Sequence, residues 1–419
     1  MKLKHPPTTD HSDYPEILED YLGGNHVAFL EKANDRYFYW DEFKRQPQLP
    51  YDDPKKAWAL LKLYRKGQSK VFSFGREAFS YCETAFLQKS LHDLDRQFPE
   101  DFGVGKQVAN SALQVEDEAI ASSQVAVDML QSGRKPKNES EQMIFNNSKA
   151  MHFMVEAANR PLDRALLLEL HKILIAETSA STFAGQLRQG EVYVLDHTDG
   201  EMAHIPPDFK AIYSWVDDLC SFANSECPFL HPIVKASMLH FMVGYIHPFA
   251  DGNGRTARAL FYWFLIRHRY SAIQFISLSR IIQRARVQYD KAFLKTELDG
   301  KDLTYFIYHS LKCLRLGFEH RQKVQQQQKE QRNQSAIIAF QLMQKGFNKR
   351  QGTLIGALYT QVYKSVNISA YADLHQVVRQ TARKDLDELT KSGLIQAFKS
   401  GREMHFRLTT TKSVDAFLA

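Results

Sequence analysis

The sequence predicts a mainly α-helical protein in which β-structure is limited to short hairpins. Two observations carry this prediction. Apolar side chains recur at helical spacing on both sides of residues 247–258, and strand-like alternation is confined to short stretches near residues 191–194 and 395–408. At about 100–200 residues per domain, a chain of 419 residues is expected to hold two to four domains. Its hydrophobic share of 44% is sufficient for packed cores.

The two central helices are predicted from the apolar residues around one polar loop. Between residues 231 and 246, one helix face is apolar at the i, i+3, i+4 and i+7 positions, occupied by Met238, Phe241, Met242 and Tyr245. Residues 259–266 are almost wholly apolar and predict a second buried helix that begins near Arg255. The residues between them are therefore expected to form a helix–loop–helix corner.

The loop of this corner, residues 247–258, has the composition of a phosphate site. It reads His-Pro-Phe-Ala-Asp-Gly-Asn-Gly-Arg-Thr-Ala-Arg. Gly252 and Gly254 permit positive φ angles and close approach of a ligand, so N–H groups at the start of the second helix can converge on an anion. Arg255 and Arg258 lie three residues apart on that helix, and their planar donor groups suit phosphate oxygens. We therefore predict a site for polyphosphate.

Two further residues of the loop add reactive groups. Asp251 supplies a hard oxygen ligand of the kind that Mg²⁺ accepts while it bridges phosphates. The unperturbed pKa of a histidine such as His247 lets it accept a proton near neutral pH. Together they predict a base beside an activated phosphoryl centre.

Residues 247–258 resemble the HxFx(D/E)GNGRxxR signature of the Fic domain (filamentation induced by cAMP), with no departure at any fixed position. The resemblance implies a helical Fic-type core and the usual reaction of the family, transfer of AMP from ATP to a hydroxyl side chain of a target protein with release of pyrophosphate. It also implies that His247 deprotonates the hydroxyl, that Phe249 anchors the loop and that Asp251 binds Mg²⁺. The nucleotide-binding residues that it implies are Gly252, Asn253, Gly254, Arg255 and Arg258, of which Arg258 reaches the γ-phosphate.

A second segment, residues 185–194, resembles the Fic flap. In the family this hairpin adds an extended strand of the target protein and aligns its hydroxyl. Alternation over residues 191–194 predicts a short strand here. The flap residues expected to bind the target are Gly185, Arg188, Val192 and Tyr193. Residues 204–207 match a proline turn that follows the flap in many relatives.

The contacts to the nucleotide's base or ribose are expected further along the chain. Relatives often make them from the positions of residues 277–280 and Tyr289. The sequence departs from the family at Asp290, where relatives commonly have a second tyrosine.

The clearest departure from the family pattern lies at residues 118–127. Autoinhibited Fic proteins carry a (Ser/Thr)xxxGlu(Gly/Asn) motif there, and its glutamate pairs with the second arginine and blocks productive binding of the γ-phosphate. In this sequence Ser122 is followed by Ala126 at the glutamate position. Three interpretations stay open: Ala126 replaces the glutamate, a short deletion has removed it, or Glu116 or Glu118 substitutes for it. The first two leave the protein without the inhibitory switch. Ser122 and Ala126 are therefore expected to be regulatory positions at which the inhibitory glutamate is missing.

Four regions are expected along the chain. Residues 1–108 form an N-terminal helical region, and residues 109–320 form the Fic catalytic domain. Residues 321–335 are glutamine-rich and charged, and form either the polar end of a helix or a linker. Residues 336–419 form a C-terminal domain that carries 12 Lys+Arg and 6 Asp+Glu, an excess equal to the whole chain's net charge of +6.

The C-terminal domain resembles a winged helix-turn-helix. Two helical stretches over residues 371–392 end at Gly393, a suitable helix C-cap, and two strands follow at residues 395–398 and 403–408. DNA contacts are then expected from Arg379, Arg383, Lys384 and Arg402. A protein-docking or dimerisation module of the same shape is the alternative, and the acidic residues Asp385, Asp387 and Glu388 on the presumed reading helix argue against DNA.

Two classes of function follow from these features. The first is an enzyme, a protein adenylyltransferase that modifies Ser, Thr or Tyr of a target protein or of itself, with ATP as AMP donor and Mg²⁺ as cofactor. The second is a DNA-binding regulator that uses the same site as a nucleotide sensor. Within the enzyme class the resemblance also allows transfer of UMP, phosphocholine or phosphate. A homodimer stays open.

The composition of the chain also predicts where the protein is located and the state of its cysteines. The sequence has no apolar stretch long enough to cross a membrane and no apolar signal segment at its start, so a cytoplasmic protein without membrane contact is expected. A bacterial type is implied only by resemblance, because the first hundred residues resemble the N-terminal helical region of some bacterial Fic proteins. The four cysteines show no metal-binding spacing and predict reduced thiols.

Overall fold

The computed structural model describes residues 3–8, 14–98, 134–195, 200–401 and 403–419. Contacts divide the chain into two compact units, residues 1–319 and 320–419. Helices dominate both units, which confirms the predicted mainly α fold class. The predicted regulatory residues Ser122 and Ala126 and the predicted DNA contact Arg402 lie outside the described residues.

The first unit contains helices and two short hairpins. Its first half comprises α1 (Pro15–Leu22), α2 (Val27–Arg36), α3 (Trp40–Phe43), α4 (Pro54–Gly67), β1 (Ser69–Phe74), β2 (Glu77–Cys82) and α5 (Ala85–Asp95). Its second half comprises α6 (Glu139–Glu156), α7 (Arg164–Ile175), β3 (Val194–Leu195), β4 (Met202–His204), α8 (Ile212–Asn224), α9 (Pro232–Ile246), α10 (Asn253–Arg267), α11 (Leu278–Arg284), α12 (Arg286–Leu298) and the start of α13 (Thr304–Gln344).

The aromatic N-terminal region packs around one buried arginine. Arg65, on α4, is 1% exposed, and its guanidinium donates to the Phe38 carbonyl at 3.0 Å and to the Tyr305 hydroxyl at 3.2 Å. The same group lies 3.9 Å from the centre of the Tyr37 ring. A buried cation needs such partners to offset its desolvation, so Arg65 ties the N-terminal helices to α13 within this unit.

The core of this unit is built on α9 and α10. Pro232 opens α9 at a position where a missing N–H costs nothing, and nearly every side chain of this helix is buried. In α10 the run Ala259–Ile266 is buried throughout, as its apolar sequence predicts. The helix begins at Asn253, two residues before the predicted start, because Gly252 at φ +82° ends the loop there. These two helices hold the polar loop between them.

Residues 321–335 are helical and lie inside α13. The sequence left two forms open for this segment, helix or linker, and the segment is helical. Lysine, arginine, glutamate and glutamine are good helix formers, so a segment made of these polar residues does not by itself end a helix.

The second unit has a core of helices against a small sheet. It comprises the end of α13, α14 (Lys349–Tyr359), β5 (Val366–Asn367), α15 (Ile368–His375), α16 (Arg379–Lys391), β6 (Ile395–Ser400), β7 (Glu403–Leu408) and α17 (Thr411–Leu418). The three strands are ordered β5-β7-β6 and are antiparallel. Gly393 adopts φ +76° after α16, as expected of a C-cap. Strand β6 extends two residues beyond its predicted end, because Ser400 still pairs with Glu403. The winged-helix assignment stays a prediction.

Candidate active site

His247 lies at the junction between α9 and the polar loop. It ends α9 in the left-handed conformation at φ +49°, with its N–H donating to the Val243 carbonyl at 3.0 Å. Its Nδ1 lies 2.9 Å from the Gly244 carbonyl oxygen. Since a carbonyl only accepts, Nδ1 carries the proton and Nε2 keeps its lone pair. Burial lowers the pKa of His247, and nearby cationic groups act in the same direction. The ring is therefore a neutral proton acceptor at pH 7.

The loop is closed by the side chain of Asn253. Its Oδ1 accepts from the Phe249 N–H at 2.9 Å, and its Nδ2 donates to the Phe249 carbonyl at 2.8 Å. Phe249 is fully buried, so it anchors the loop as the sequence predicts. Both polar atoms of the Asn253 side chain are thus bonded within the loop. Only the backbone N–H of this predicted nucleotide-binding residue is left to bind a ligand. The N–H groups of residues 253–255 open α10 and have no acceptor within the helix.

Gly252 occupies a position that only glycine fits. Its φ of +82° is rarely adopted by other residues, and a Cβ would lie 2.8 Å from Ile175 Cγ2 and 3.1 Å from His171 Nε2. The tight approach of α7 to the loop therefore depends on this glycine.

His171, on α7, is a site residue that the sequence analysis missed. It is fully buried and stacks on Phe249 at a centroid distance of 3.7 Å and an interplanar angle of 10°. The Gly185 N–H donates to its Nδ1 at 3.1 Å, so its Nε2 carries the proton and donates to the Asp251 carbonyl at 2.9 Å. Burial lowers the pKa of His171 to about 4, which keeps this tautomer neutral. A lone histidine in an apolar helix gave no signal of this role.

Asp251 and Arg255 form the polar rim of the loop. The Asp251 side chain is 55% exposed, its Oδ1 accepts from the Gly252 N–H at 2.7 Å, and its Oδ2 lies 3.3 Å from an Arg255 amine. Arg255 is 10% exposed and also donates to the Leu174 carbonyl at 3.4 Å. Burial lowers the pKa of Arg255, but an arginine stays charged at any physiological pH. The loop thus presents one open carboxylate edge beside a positioned guanidinium.

Arg258 lines a small cavity next to Arg255. The cavity has a volume of about 40 Å³ and is also lined by Asn147, on α6, and by Ser279, on α11. Ser279 belongs to residues 277–280, where the sequence analysis expects contacts to the nucleotide's base or ribose. Both predicted phosphate arginines therefore border one space with that segment.

Tyr289, the other expected nucleotide contact, is packed into the core. It is 8% exposed, its hydroxyl lies 3.1 Å from His240 Nε2, and its ring contacts Phe293 and Phe306. The aromatic cluster of α9, α12 and α13 holds the ring away from solvent. A side-chain contact with a nucleotide would require this packing to open, so we assign Tyr289 to the core.

The segment expected to form the flap is paired over a short length only. In the part of the chain that the structure describes, β3 pairs with β4 at Val194↔His204 and Leu195↔Met202. The strand predicted at residues 191–194 is thus reduced to its last residue and shifted toward Leu195. Tyr193 is 56% exposed and Val192 is half-buried. A groove of about 390 Å³ separates residues 182–192 from Ala250 in the polar loop.

Arg188 does not point toward a target. Its side chain is 1% exposed, and its guanidinium donates to the carbonyls of His247 at 2.8 Å and Gly190 at 3.0 Å, and to that of Pro207. Its own N–H donates to the Pro248 carbonyl at 2.9 Å. Arg188 thus links the flap segment to the polar loop by hydrogen bonds. The expectation that it contacts a target is corrected by this burial.

His204 anchors the other end of the flap. Its Nδ1 lies 2.8 Å from a carboxylate oxygen of Glu297, and its Nε2 lies 2.7 Å from the Tyr245 carbonyl. Both partners only accept, so the ring satisfies them fully when it is protonated. Burial opposes that charge, but the hydrogen bond and the charge of Glu297 outweigh it and raise the pKa of His204. The flap is therefore held at this end by an ion pair.

In the second unit, helix α16 carries three of the predicted DNA contacts together with the acidic residues named above. Arg379, Arg383 and Lys384 are exposed on α16. Asp385 is 3% exposed and accepts hydrogen bonds from Arg350 at 2.8 Å and from other inward-facing groups. Of the three acidic residues that argue against DNA binding, Asp385 therefore faces the core of this unit, whereas Asp387 and Glu388 are exposed on α16.

Among the described residues, no three or more His, Cys, Asp or Glu side chains are grouped so that they could hold a metal ion, and no helix has both the length and the hydrophobicity of a membrane span. Cys82, Cys220 and Cys313 are buried free thiols, and Cys227 is an exposed one.

Comparison with known proteins places the loop within a family profile. Residues 161–265 match the Fic/DOC family. The chain is 33% identical over 108 residues to a protein adenylyltransferase Fic of Aedes aegypti, covering 26% of this chain and 20% of that one. It is 28% identical over 167 residues to a protein of the same name from Drosophila melanogaster, covering 39% of this chain and 31% of the other. The chain thus spans less than a third of the length of these curated relatives.

A solved structure shares the fold. Fic-1 of C. elegans, determined as a fragment, superimposes with a TM-score of 0.50 at 17% identity, covering 71% of this chain and 83% of that fragment. At this identity the likeness concerns the fold alone.

Proposed function

Because this chain carries a domain of the Fic/DOC family, we propose that it is a protein adenylyltransferase, which transfers AMP from ATP to a hydroxyl side chain of another protein or of itself. The observation that carries the proposal is the state of His247. Its Nδ1 is bound to the Gly244 carbonyl and its lowered pKa keeps Nε2 unprotonated, next to a helix start that bears two arginines. A base and an anion site are the two parts that this reaction requires.

In the proposed reaction His247 removes the proton of the acceptor hydroxyl. The hydroxyl oxygen forms a bond to the α-phosphorus of ATP, the bond from that phosphorus to the bridging oxygen breaks, and pyrophosphate leaves in line. The proton stays on His247 Nε2, where the lowered pKa favours its later release. The Gly244 carbonyl accepts from Nδ1–H before and after this transfer, so the second proton always enters and leaves at Nε2.

The phosphates are expected at the start of α10. The N–H groups of residues 253–255 and the helix dipole favour an anion there, and Arg255 and Arg258 add charge-assisted hydrogen bonds. Asp251 fits Mg²⁺, because one edge of its carboxylate is exposed and Mg²⁺ commonly takes one or two carboxylates together with phosphate oxygens. When bound, Mg²⁺ would supply charge neutralisation for the phosphates.

The target protein is expected to bind along residues 190–193. Residues 191–193 have no regular secondary structure and lie outside the β3–β4 ladder, beside the groove that leads to Ala250. An added strand would gain main-chain hydrogen bonds there, with Val192 and Tyr193 as side-chain contacts. Arg188 and His171 would hold the two sides of this groove in place.

The experiment that tests the proposal is self-labelling or target labelling with Mg²⁺ and ATP that carries a label on the α-phosphate. The full chain, His247→Ala and the matched control His152→Ala, which alters an exposed histidine, are incubated in parallel and read by intact mass. We expect an AMP adduct on the full chain and on the control and none on His247→Ala. An adduct on His247→Ala, or label transferred only from another donor such as UTP, CDP-choline or the γ-phosphate, would contradict the proposal.

Regulation by an internal glutamate is a separate part of the proposal. When the motif is aligned on Ser122, Ala126 falls where the family has its inhibitory glutamate, and we propose on this alignment that no internal glutamate inhibits the enzyme. Introducing the missing carboxylate by Ala126→Glu should lower labelling, whereas Ala126→Gln should not, because only the charged group can pair with Arg258. Equal activity of both variants would contradict this alignment.

A DNA-binding regulator is the second candidate, favoured by the surface of α16. Arg379, Arg383 and Lys384 are exposed there, and Asp385 is buried, although Asp387 and Glu388 are exposed on the same helix. Such a protein would keep its response to DNA in His247→Ala, while an enzyme would lose labelling. Binding to a labelled duplex at two salt concentrations, with Arg383→Ala beside it, would decide whether DNA is a partner.

A further inference from the structure

The first unit contains a second cavity that the reaction at His247 does not use. It has a volume of about 500 Å³ and lies among α2, α3, α5, α12 and α13. This volume is within the range of pockets that bind small molecules. None of the residues of the polar loop or the flap lines it.

The charges around this cavity are strongly unbalanced. Six basic side chains line it, namely Arg36, Lys89, Lys291, Lys295, Lys312 and Arg315, against the two acids Glu42 and Asp93. Glu42 pairs with Lys295 at 2.7 Å. In the described residues, no ion pair is formed by Arg36, Lys89, Lys291 or Lys312. These four cations come from four different helices and line one space, so the cavity favours a ligand with more than one negative charge.

The floor of the cavity is aromatic. The Tyr37 hydroxyl donates to Asp302 at 2.6 Å and the Tyr305 hydroxyl donates to Asp299 at 2.7 Å. Both hydroxyls are therefore bonded to buried carboxylates and are not available as donors to a ligand. Phe86 lies 5.1 Å from Tyr308 in a tilted arrangement and is 43% exposed. An exposed ring next to several cations is suited to stack on a flat heterocycle whose charged groups lie toward the lysines.

We propose that this cavity is a second ligand site, which binds a nucleotide with two or more phosphates. The phosphates would lie between Lys89 on α5, Lys291 on α12 and Lys312 on α13, and the base would stack on Phe86. His309 lines the same space, but burial lowers its pKa to about 4, so it adds a neutral polar group and no charge. The site is separate from the arginines of the polar loop and does not depend on the proposed transfer reaction.

The test is a calorimetric titration of the full chain with ADP, in a background that carries Arg255→Ala and Arg258→Ala to weaken binding at the polar loop. One saturable site is expected to remain. The double charge reversal Lys89→Glu/Lys312→Glu should weaken it by at least about tenfold, since each reversal replaces an attraction by a repulsion at short range.

The matched control is Lys55→Glu/Lys66→Glu, which makes the same charge change on exposed residues of α4 outside the cavity. It should leave ADP binding unchanged. Phe86→Ala should weaken ADP but not inorganic pyrophosphate, because only the nucleotide has a ring to stack. Thermal unfolding of each variant checks that it is folded.

Four results would contradict the proposal. The first is no saturable ADP binding in the double-arginine background, and the second is equal weakening by both pairs of lysine substitutions. The third is a short single-stranded oligonucleotide that binds the cavity more tightly than ADP and displaces it, which would assign the site to nucleic acid. Equal affinity for ADP and pyrophosphate in all variants would likewise refute the stacking on Phe86.

Discussion

Replacing His171 with phenylalanine separates the two ways in which this side chain supports the candidate active site. The ring stack on Phe249 is kept, while the hydrogen bonds to the Gly185 N–H at 3.1 Å and the Asp251 carbonyl at 2.9 Å are lost. A hydrogen bond contributes about 1 kcal/mol net, and a partner left unsatisfied costs about 1–3 kcal/mol. We therefore expect the variant to lose about 2–4 kcal/mol of unfolding free energy at pH 7.5.

The difference in unfolding free energy between the original protein and the phenylalanine variant should depend on pH in one direction. Burial lowers the pKa of His171 to about 4, against 6.5 for an exposed histidine. Above pH 6.5 the ring is neutral in both states and the shift has no effect. Between pH 6.5 and 4 the unfolded chain takes up a proton that the folded chain refuses, so the original protein loses up to about 3 kcal/mol that the phenylalanine variant does not lose. The stability difference between the two should therefore shrink toward pH 4.

The assay is urea unfolding at several pH values, with His152→Phe on the exposed face of α6 as the control. Labelling activity is measured on the same samples, and a drop of about tenfold to a hundredfold is expected, because His171 positions the carbonyl of Asp251 and the start of the flap without touching substrate. A stability difference that stays constant from pH 7.5 to 4, or labelling equal to that of the control, would refute the reasoning.

Three further predictions concern the loop and the flap. Gly252→Ala should lower both stability and labelling, because the new Cβ would meet α7 at 2.8 Å in a left-handed conformation, and unfolding by urea with labelling checks this. Arg188→Met should keep most of the packing but leave several carbonyls without a donor, so a loss of about 3 kcal/mol or more in unfolding free energy is expected, and full stability would contradict it. His204 has a raised pKa, so its pairing with Glu297 stabilises the fold below pH 6.5 and is lost as the pH rises through that raised value. Glu297→Gln should therefore be less stable than the original protein at pH 6, and the gap should narrow at alkaline pH.

The polar loop was predictable because its residues are consecutive. A base, a carboxylate, two glycines and two arginines fall within residues 247–258, and the apolar runs on both sides fix where the helices lie. The structure adds little to that part of the prediction except that the side chain of Asn253 serves the loop itself.

The supporting residues were not predictable because their partners are distant in sequence. His171 is 80 residues from Asp251 and Arg188 is 59 residues from His247, and neither partner is a side chain. Both residues bind backbone groups, whose positions depend on the packed fold. The packing of Tyr289 was not predictable for the same reason, since its hydroxyl lies against His240 on α9 and its ring against Phe306 on α13.

The distribution of these contacts also bears on which part of the site can move. The loop that carries His247 is tied by Asn253 from within, by His171 from α7 and by Arg188 from the flap segment, and all three ties are hydrogen bonds to main-chain atoms in buried or half-buried surroundings. Such ties fix the base and the anion site before any ligand arrives. In the described residues of the flap, β3 and β4 pair at two positions, and His204 holds β4 through Glu297 and the Tyr245 carbonyl. A target that adds a strand would therefore order the flap against a loop that is already in place, and substitutions in the loop ties should lower the rate of transfer more than the affinity for the target.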